Sequence, residues 1–306
     1  MEDESSIEFL NEKFGIPGAA TIGAGRRRLA RVQIEALSGA GEIYLHGAQV
    51  TSWRPSGMSE VIFLSEKAIF QQGKAIRGGI PVCFPWFRGK ADDPNAPAHG
   101  FVRTKEWELE SISLVDEGAV CARFSTASDT ETRQWWPFEF RLEYGITVGK
   151  RLDLELTMQN TGDTSLRFEE ALHSYFRVGN VRNVPVRGLQ GLEFLDNRDG
   201  NRVKTQEGDL VVSKQTDNAY RSATGAVEIV DKEMGRRITV VKHNSNSTIV
   251  WNPGSDGSAK MSDLGKDEWQ RMLCVEGANI MNAAVNLEKG EAHRMRVSID
   301  VLKDRG

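Results

Sequence analysis

The sequence predicts an all-β protein, a large antiparallel sandwich with a few short helices, and three observations carry that reading. From 138 to 148 every second residue is apolar (Phe138, Phe140, Leu142, Tyr144, Ile146, Val148), and Leu152, Leu154, Leu156 and Met158 repeat the pattern. Strict alternation buries one face of each segment, so these are two long strands of a hairpin, with Gly149 and Lys150 between them. Second, no strand pattern alternates with helical patterns of ten or more residues, as βαβ units require. Third, the 306 residues hold no internal repeat and no Ser/Gly/Pro linker. The expectation is an extension over 1–25 followed by one domain over 26–306, built from two packed sheets.

In chain order, 5–14 places Ile7, Leu10 and Phe14 at spacings of three and four, with Ser5 and Glu8 in capping-box positions, which predicts a short leading helix. From Arg31 the period becomes two: Val32, Ile34 and Ala36 alternate with polar residues, 42–53 is an apolar-rich run ended by Pro55, and 61–64 is a further short strand. The stretch 76–103, IRGGIPVCFPWFRGKADDPNAPAHGFVR, carries four of the nine prolines. Proline removes a donor and glycine permits positive φ, so neither a helix nor a central strand is expected there. Its aromatic residues anchor it against a core, as in an ordered functional loop. Strand patterns resume at Trp107 and Leu109, at Val120, Ala122 and Phe124, and over 166–178, 226–230, 238–242, 248–251, 272–276 and 293–301. Only 262–271 reads as a second short helix.

Composition narrows the class. With 39% hydrophobic and 27% charged residues the chain has the balance of a globular protein, and a net charge of −4 argues against a nucleic-acid partner. No apolar run approaches the roughly 18 residues of a membrane span. The MEDESS start lacks the basic and apolar regions of a signal peptide, and Cys83, Cys121 and Cys274 form neither a disulfide framework nor a metal-ligand spacing. A cytoplasmic location is expected. A monomer is the default, since no element advertises an unpaired apolar face.

Two segments carry candidate chemistry. In LRFEEALHSYFRV, Leu166, Phe168, Leu172, Phe176 and Val178 share one parity, which turns His173 to the other face beside Tyr175 and Arg177. Such a histidine is either a surface residue on a solvated face or part of a polar, ring-lined site. In QRMLCVEGANI, Leu273 and Val275 share one face, and Met272, Cys274 and Glu276 the other. Glu276 is either ion-paired to an arginine such as Arg271 or Arg177, or buried with its pKa raised toward that of a general base. His99 sits in a turn, and Arg77 beside two glycines either braces its loop or meets an anion. His46, His243 and His293 have no supporting context.

The blocks RGGIPVCFPWF, PAHGFVR, ALHSYF, TDNAY, WNPG and CVEGA, in this order and at these spacings, resemble the hexose-6-phosphate mutarotases of the aldose 1-epimerase superfamily. The resemblance runs from about 36 to 301. It implies a galactose-mutarotase-like β-sandwich whose concave face holds the sugar, and interconversion of the α and β anomers of a hexose 6-phosphate. Carried over by motif, the general acid falls on His173 and the general base on Glu276. Sugar and phosphate contacts fall on Arg77, His99, Arg103 and Asp217, with Trp86, Phe87 or Tyr175 packing against the ring. The implied chemistry takes a proton from O1 and gives one to O5, opening the ring, and calls for no metal, nucleotide or other cofactor. The substrate is the one partner implied. Ala98 stands where some members have glutamine. Trp86-Phe87-Arg88-Gly89 carries an arginine where WFG is usual, and Asn218-Ala219 follow Asp217 where an arginine is common. Two rivals stay open: a sugar-phosphate sensor on the same fold, and a cupin-type isomerase in which His99, His173, Glu276 and Asp217 converge on a metal ion.

Overall fold

The hairpin expected over 138–158 is present in the computed structural model as the strands Phe140–Val148 and Leu152–Asn160, paired from Phe140 opposite Asn160 to Val148 opposite Leu152. The structure describes residues 4–304, with side chains from Ser6 onward. Leu142, Tyr144, Ile146, Leu154, Leu156 and Met158 are buried, as the alternation requires. This hairpin lies within an eight-stranded antiparallel sheet ordered Val186–Arg187, Val227–Asp231, Arg236–His243, Ala292–Lys303, Leu152–Asn160, Phe140–Val148, Ala119–Ala127 and Glu108–Val115.

A second eight-stranded sheet runs Arg202–Thr205, Glu193–Asp196, Thr216–Arg221, Ser247–Asn252, Met272–Asn279, Glu170–Leu172 and Val82–Cys83, with Tyr175–Arg177 also paired to Met272–Asn279. A four-stranded meander, Ala20–Ala24, Ala30–Ala36, Gly39–Tyr44 and Gln49–Pro55, and the small pair Leu166–Phe168 with Val285–Leu287 complete the β structure. All these pairings are antiparallel. One apolar core joins Val32, Ile43 and Trp53 of the meander, Leu142 and Leu156 of the first sheet, and Val250, Leu273 and Val275 of the second. The leading helix, Glu4–Phe14, is tied to the meander by Ile22 N–H donating to Asn11 Oδ1 at 2.8 Å. The capping role expected of Ser5 falls on a side chain outside the described residues. Among the described residues no helix is long and apolar enough to cross a membrane.

Several expectations are corrected. The 42–53 run is two strands separated by a turn with φ of 74° at Gly47 and 46° at Ala48. The 61–64 segment makes only single bridges, Ile62 to Phe176 and Leu64 to Gly78, because Glu60 Oε1 captures the N–H groups of Trp53, Val61 and Ile62. The 166–178 run is broken into three short strands that serve different partners. In 262–271 only Glu268–Arg271 forms a 3₁₀ turn, since the Glu268 carboxylate is drawn to Ser65 Oγ and the N–H groups of Glu66 and Gly265. The helices Thr130–Trp135 and Gly254–Ser258, and the strands Ala20–Ala24, Glu193–Asp196, Arg202–Thr205 and Thr216–Arg221, were not anticipated.

The 76–103 segment is irregular apart from a 3₁₀ turn beginning at Val102 and the strand Val82–Cys83, where two residues between prolines keep their N–H groups and join the sheet beside Ala171 and Leu172. The segment returns on itself where Phe101 N–H donates to the Phe84 carbonyl at 3.1 Å and Phe84 N–H donates to the His99 carbonyl at 3.3 Å. Gly100 makes this crossing possible: its φ is 72°, and a Cβ there would lie 1.7 Å from the Phe84 oxygen. Gly100→Ala is therefore expected to destabilise the protein by on the order of 3 kcal/mol, read as a shift in the urea midpoint. An unchanged midpoint would show that the crossing can open without cost.

Candidate active site

Opposed residues of antiparallel strands face the same side, so the register defines the floor of a site. Tyr175, Cys274, Trp251 and Asp217 form one row across the second sheet, and Glu276, Ile249, Ala219 and Leu195 form the next. Ala171, Ala219, Ile249, Ala278 and Ile280 make an apolar cluster on this face with Cys83 and Phe87, separate from the main core. The 76–103 segment roofs it. Glu169 pins the roof: Oε2 accepts from Phe87 N–H at 2.9 Å and Oε1 from Met281 N–H at 2.6 Å. The same face continues into a cavity of about 630 Å³ whose lining includes Ala219, Arg221, Ser247 and Ile280.

His173 lies in the break between Glu170–Leu172 and Tyr175–Arg177, its N–H bonded to the Pro81 carbonyl at 3.0 Å. Its ring stacks on Tyr175 at 4.6 Å and meets Trp251 and His99 edge-on at 5.9 and 5.6 Å. His173 Nδ1 stands 3.3 Å from Glu276 Oε1. His173 is not on the solvated face that parity alone allowed, being 6% exposed, and Glu276 beside it is 0% exposed. Glu276 is not paired with Arg271 or Arg177. Both its oxygens, His173 Nδ1 and Arg103 Nε are buried with no hydrogen-bond partner in the structure. Buried polar atoms are almost always satisfied, and leaving one unpaired is costly. Such atoms gathered in one place mark a site awaiting a polar ligand.

The other expected residues surround this pair. Arg77 Nε and Nη2 both donate to Asp263 Oδ2, at 3.1 and 3.0 Å, and Nη1 donates to the Tyr175 hydroxyl at 3.0 Å. Arg103 Nη2 donates to the Ala98 carbonyl at 2.7 Å. His99 is half-buried, with its Nδ1 accepting from Arg88 N–H at 3.3 Å. Asp217 accepts from Arg88 Nη2 at 2.5 Å and from Asn197 Nδ2 at 2.6 Å. Sequence reasoning missed Arg88, Trp251, Cys274, Asp263 and Asn197 as members of the site. For Trp251 and Cys274 the strands themselves were legible, but the register that aligns them with Tyr175 was not.

Burial, reinforced by Asp217, pushes the Glu276 carboxyl well above its ordinary value, against the opposing pull of Arg88 and Arg103. Burial, with Arg103 and Arg77, pushes His173 well below its own. Burial also lowers His99, helped by Arg103. The two shifts favour carboxylic acid and neutral imidazole, with one proton held across the pair. Among the described residues, His173, Cys274 and Glu276 form the group whose donor atoms, all within 4.8 Å, could reach a cation. The four-residue metal set expected as a rival does not assemble: Asp217 is taken by Arg88 and Asn197, and His99 Nδ1 by Arg88 N–H. The positive field of Arg77 and Arg103 also works against a cation at His173.

The family model for aldose 1-epimerase matches residues 32–300. A protein of Cenchrus ciliaris named "putative glucose-6-phosphate 1-epimerase" is 34% identical over 272 residues, 85% of this chain and 81% of that one. A crystal structure from Salmonella typhimurium, described as a putative mutarotase, superposes with a TM-score of 0.85 at 30% identity, covering 96% of this chain and 99% of that chain. A galactose mutarotase-like protein from Clostridium acetobutylicum has a TM-score of 0.72 over 93% of this chain and 98% of that chain; at 14% identity it shares the fold.

A raised carboxyl pKa in the folded state means that the native protein holds its proton while the unfolded chain releases it. The associated stability is present below the ordinary value of 4.5 and is lost as pH rises through the folded value. Glu276→Gln removes this loss and is expected to stabilise the protein at pH 8 by on the order of 1–2 kcal/mol, the gain shrinking toward pH 4.5. His173 acts with the opposite sign: its depressed value costs stability as pH falls below 6.5. Thermal unfolding of both proteins across pH 4.5–8 checks this, and parallel curves would contradict it.

Proposed function

The chain belongs to the aldose 1-epimerase family, and from that membership we propose that it interconverts the α and β anomers of hexose 6-phosphates, glucose 6-phosphate foremost, by opening and reclosing the pyranose ring. The observation that carries the reading is the buried, hydrogen-bond-starved pair of His173 and Glu276, 3.3 Å apart. The name borne by the plant relative supports the phosphorylated substrate. A sensor needs no unpaired acid and imidazole at its centre, and these atoms favour catalysis over binding alone.

Ring opening removes a proton from O1 and delivers one to O5. In our reading Glu276 takes the first and His173 gives the second, so the working form is carboxylate and imidazolium. It contains the same single proton as the resting neutral pair, moved across the 3.3 Å gap. A phosphate held by Arg77 and Arg103 through charge-assisted bonds cancels the field that keeps His173 neutral, which favours the imidazolium once substrate is in place. Asp217 accepts hydrogen bonds from sugar hydroxyls, and the rings of Tyr175 and Trp251 wall the space above Cys274. After rotation about C1–C2 the two groups exchange roles and the ring closes on its other face.

Exchange between the α and β H1 signals of glucose 6-phosphate, followed by NMR saturation transfer, tests this. His173→Asn and Glu276→Gln are each expected to lower kcat by roughly 10²–10⁴-fold. Arg103→Met should act mainly on KM for the phosphorylated sugar. Wild-type exchange at the buffer rate would end the catalytic reading.

A further inference from the structure

Arg88, in the roof of the site, is the arginine for which the acid/base scheme has no use. Its φ is 62°, in the left-handed region where a side chain is strained relative to glycine. Its backbone is clamped to His99 in both directions: Arg88 N–H donates to His99 Nδ1 at 3.3 Å, and the Arg88 carbonyl accepts from His99 N–H at 2.6 Å. From this fixed base the guanidinium crosses to the floor, where Nη2 meets Asp217 Oδ1 at 2.5 Å, while Asn197 holds Oδ2 at 2.6 Å. The side chains of Arg88 and Asp217 are 22% and 14% exposed. The pair adjoins the chemistry, since both charges act on Glu276.

Resting on the proposed function, we infer that Arg88 and Asp217 form a charge lock that selects substrates bearing both hydroxyls and an anionic phosphate. Each Asp217 oxygen already accepts one hydrogen bond, so a sugar hydroxyl drawn to Oδ1 competes there with Arg88 for the carboxylate charge and weakens that bond. A neutral sugar that displaced Arg88 would leave a mostly buried guanidinium without an anion, which is strongly unfavourable. A sugar phosphate supplies both replacements: its hydroxyls donate to Asp217, and its phosphate oxygens accept from Arg88. Discrimination then comes from a penalty on the wrong ligand as well as contacts to the right one. The other two arginines are placed differently. Arg77 is compensated by Asp263, and Arg103 has a buried Nε with no partner. Arg88 is the one whose ion-pair partner, Asp217, is also the proposed acceptor of the sugar hydroxyls.

Calorimetric titration of glucose 6-phosphate and of glucose into wild type, Arg88→Gly and Arg88→Lys, with NMR exchange on the same samples, tests the lock. Glycine suits φ 62°, so Arg88→Gly should fold, and its urea midpoint checks this. It is expected to bind glucose 6-phosphate on the order of tenfold more weakly and glucose more tightly, because Asp217 is released. The exchange defect should appear in KM rather than kcat, and Arg88→Lys should fall between. If both ligands change affinity by the same factor, the lock does not exist. Normal exchange with an unchanged preference overturns the lock and leaves the epimerase reading standing. Selective loss of sugar-phosphate binding in a protein that shows no exchange upholds the lock and overturns the epimerase.

Discussion

Both oxygens of Glu276 are buried without a hydrogen bond from the protein, a cost on the order of 1–3 kcal/mol that the surrounding structure has to absorb. The strand that bears it can absorb this cost. All eight residues of Met272–Asn279 are buried, and the strand is paired to Ser247–Asn252 on one side and to both Glu170–Leu172 and Tyr175–Arg177 on the other. Leu273 and Val275 anchor it in the main core, and the roof segment closes over its opposite face. The break at His173 is the complement of this rigidity. Two short strands share one long partner, and the histidine between them approaches the glutamate without itself being fixed by the ladder.

The charge arrangement follows from the same constraint. Three arginines approach the pair from different supports: Arg77 from the start of the roof, Arg88 from its middle and Arg103 from its end. Each is held by a different kind of group, a carboxylate with a phenol, a carboxylate alone, and a backbone carbonyl. Their field depresses both nearby imidazoles and opposes the rise of the Glu276 carboxyl. The site is thus electrically prepared for an anion while its centre stays neutral. Small neutral side chains, Ala171, Ala219 and Ala278, keep the floor low enough for a ring to lie on it.

The long hairpin and the all-β class were legible because period-two alternation is a local signal that burial enforces over many residues. His173, Glu276 and Asp217 were nominated through motif resemblance, and parity separated His173 from the buried Leu172 and Phe176. Parity could not reveal that the opposite face is buried too, because the roof that covers it is remote in sequence. Segments with divided loyalties were misread for a similar reason. The 61–64 stretch has strand composition, yet the N–H groups of Val61 and Ile62 are taken by a neighbouring carboxylate, and 262–271 has helical spacing but spends its Glu268 side chain on Ser65 and Glu66. Arg88 stood out in the sequence only as a departure from pattern; its meaning depends on a residue more than a hundred positions away.

The mutual clamp between Arg88 and His99 closes the roof loop at its neck. What lies beyond the neck, around Asp92, Pro94 and Asn95, is exposed surface whose internal contacts, such as Lys90 with Asp92 and Asn95 with Asp93, are local. Chain length in 91–95 can therefore change without moving either clamped residue, as a handle can be reshaped without altering the hinge that carries it. The loop tip is open to evolutionary drift, and to the grafting of a tag or reporter, while the spacing between floor and roof stays as the neck sets it.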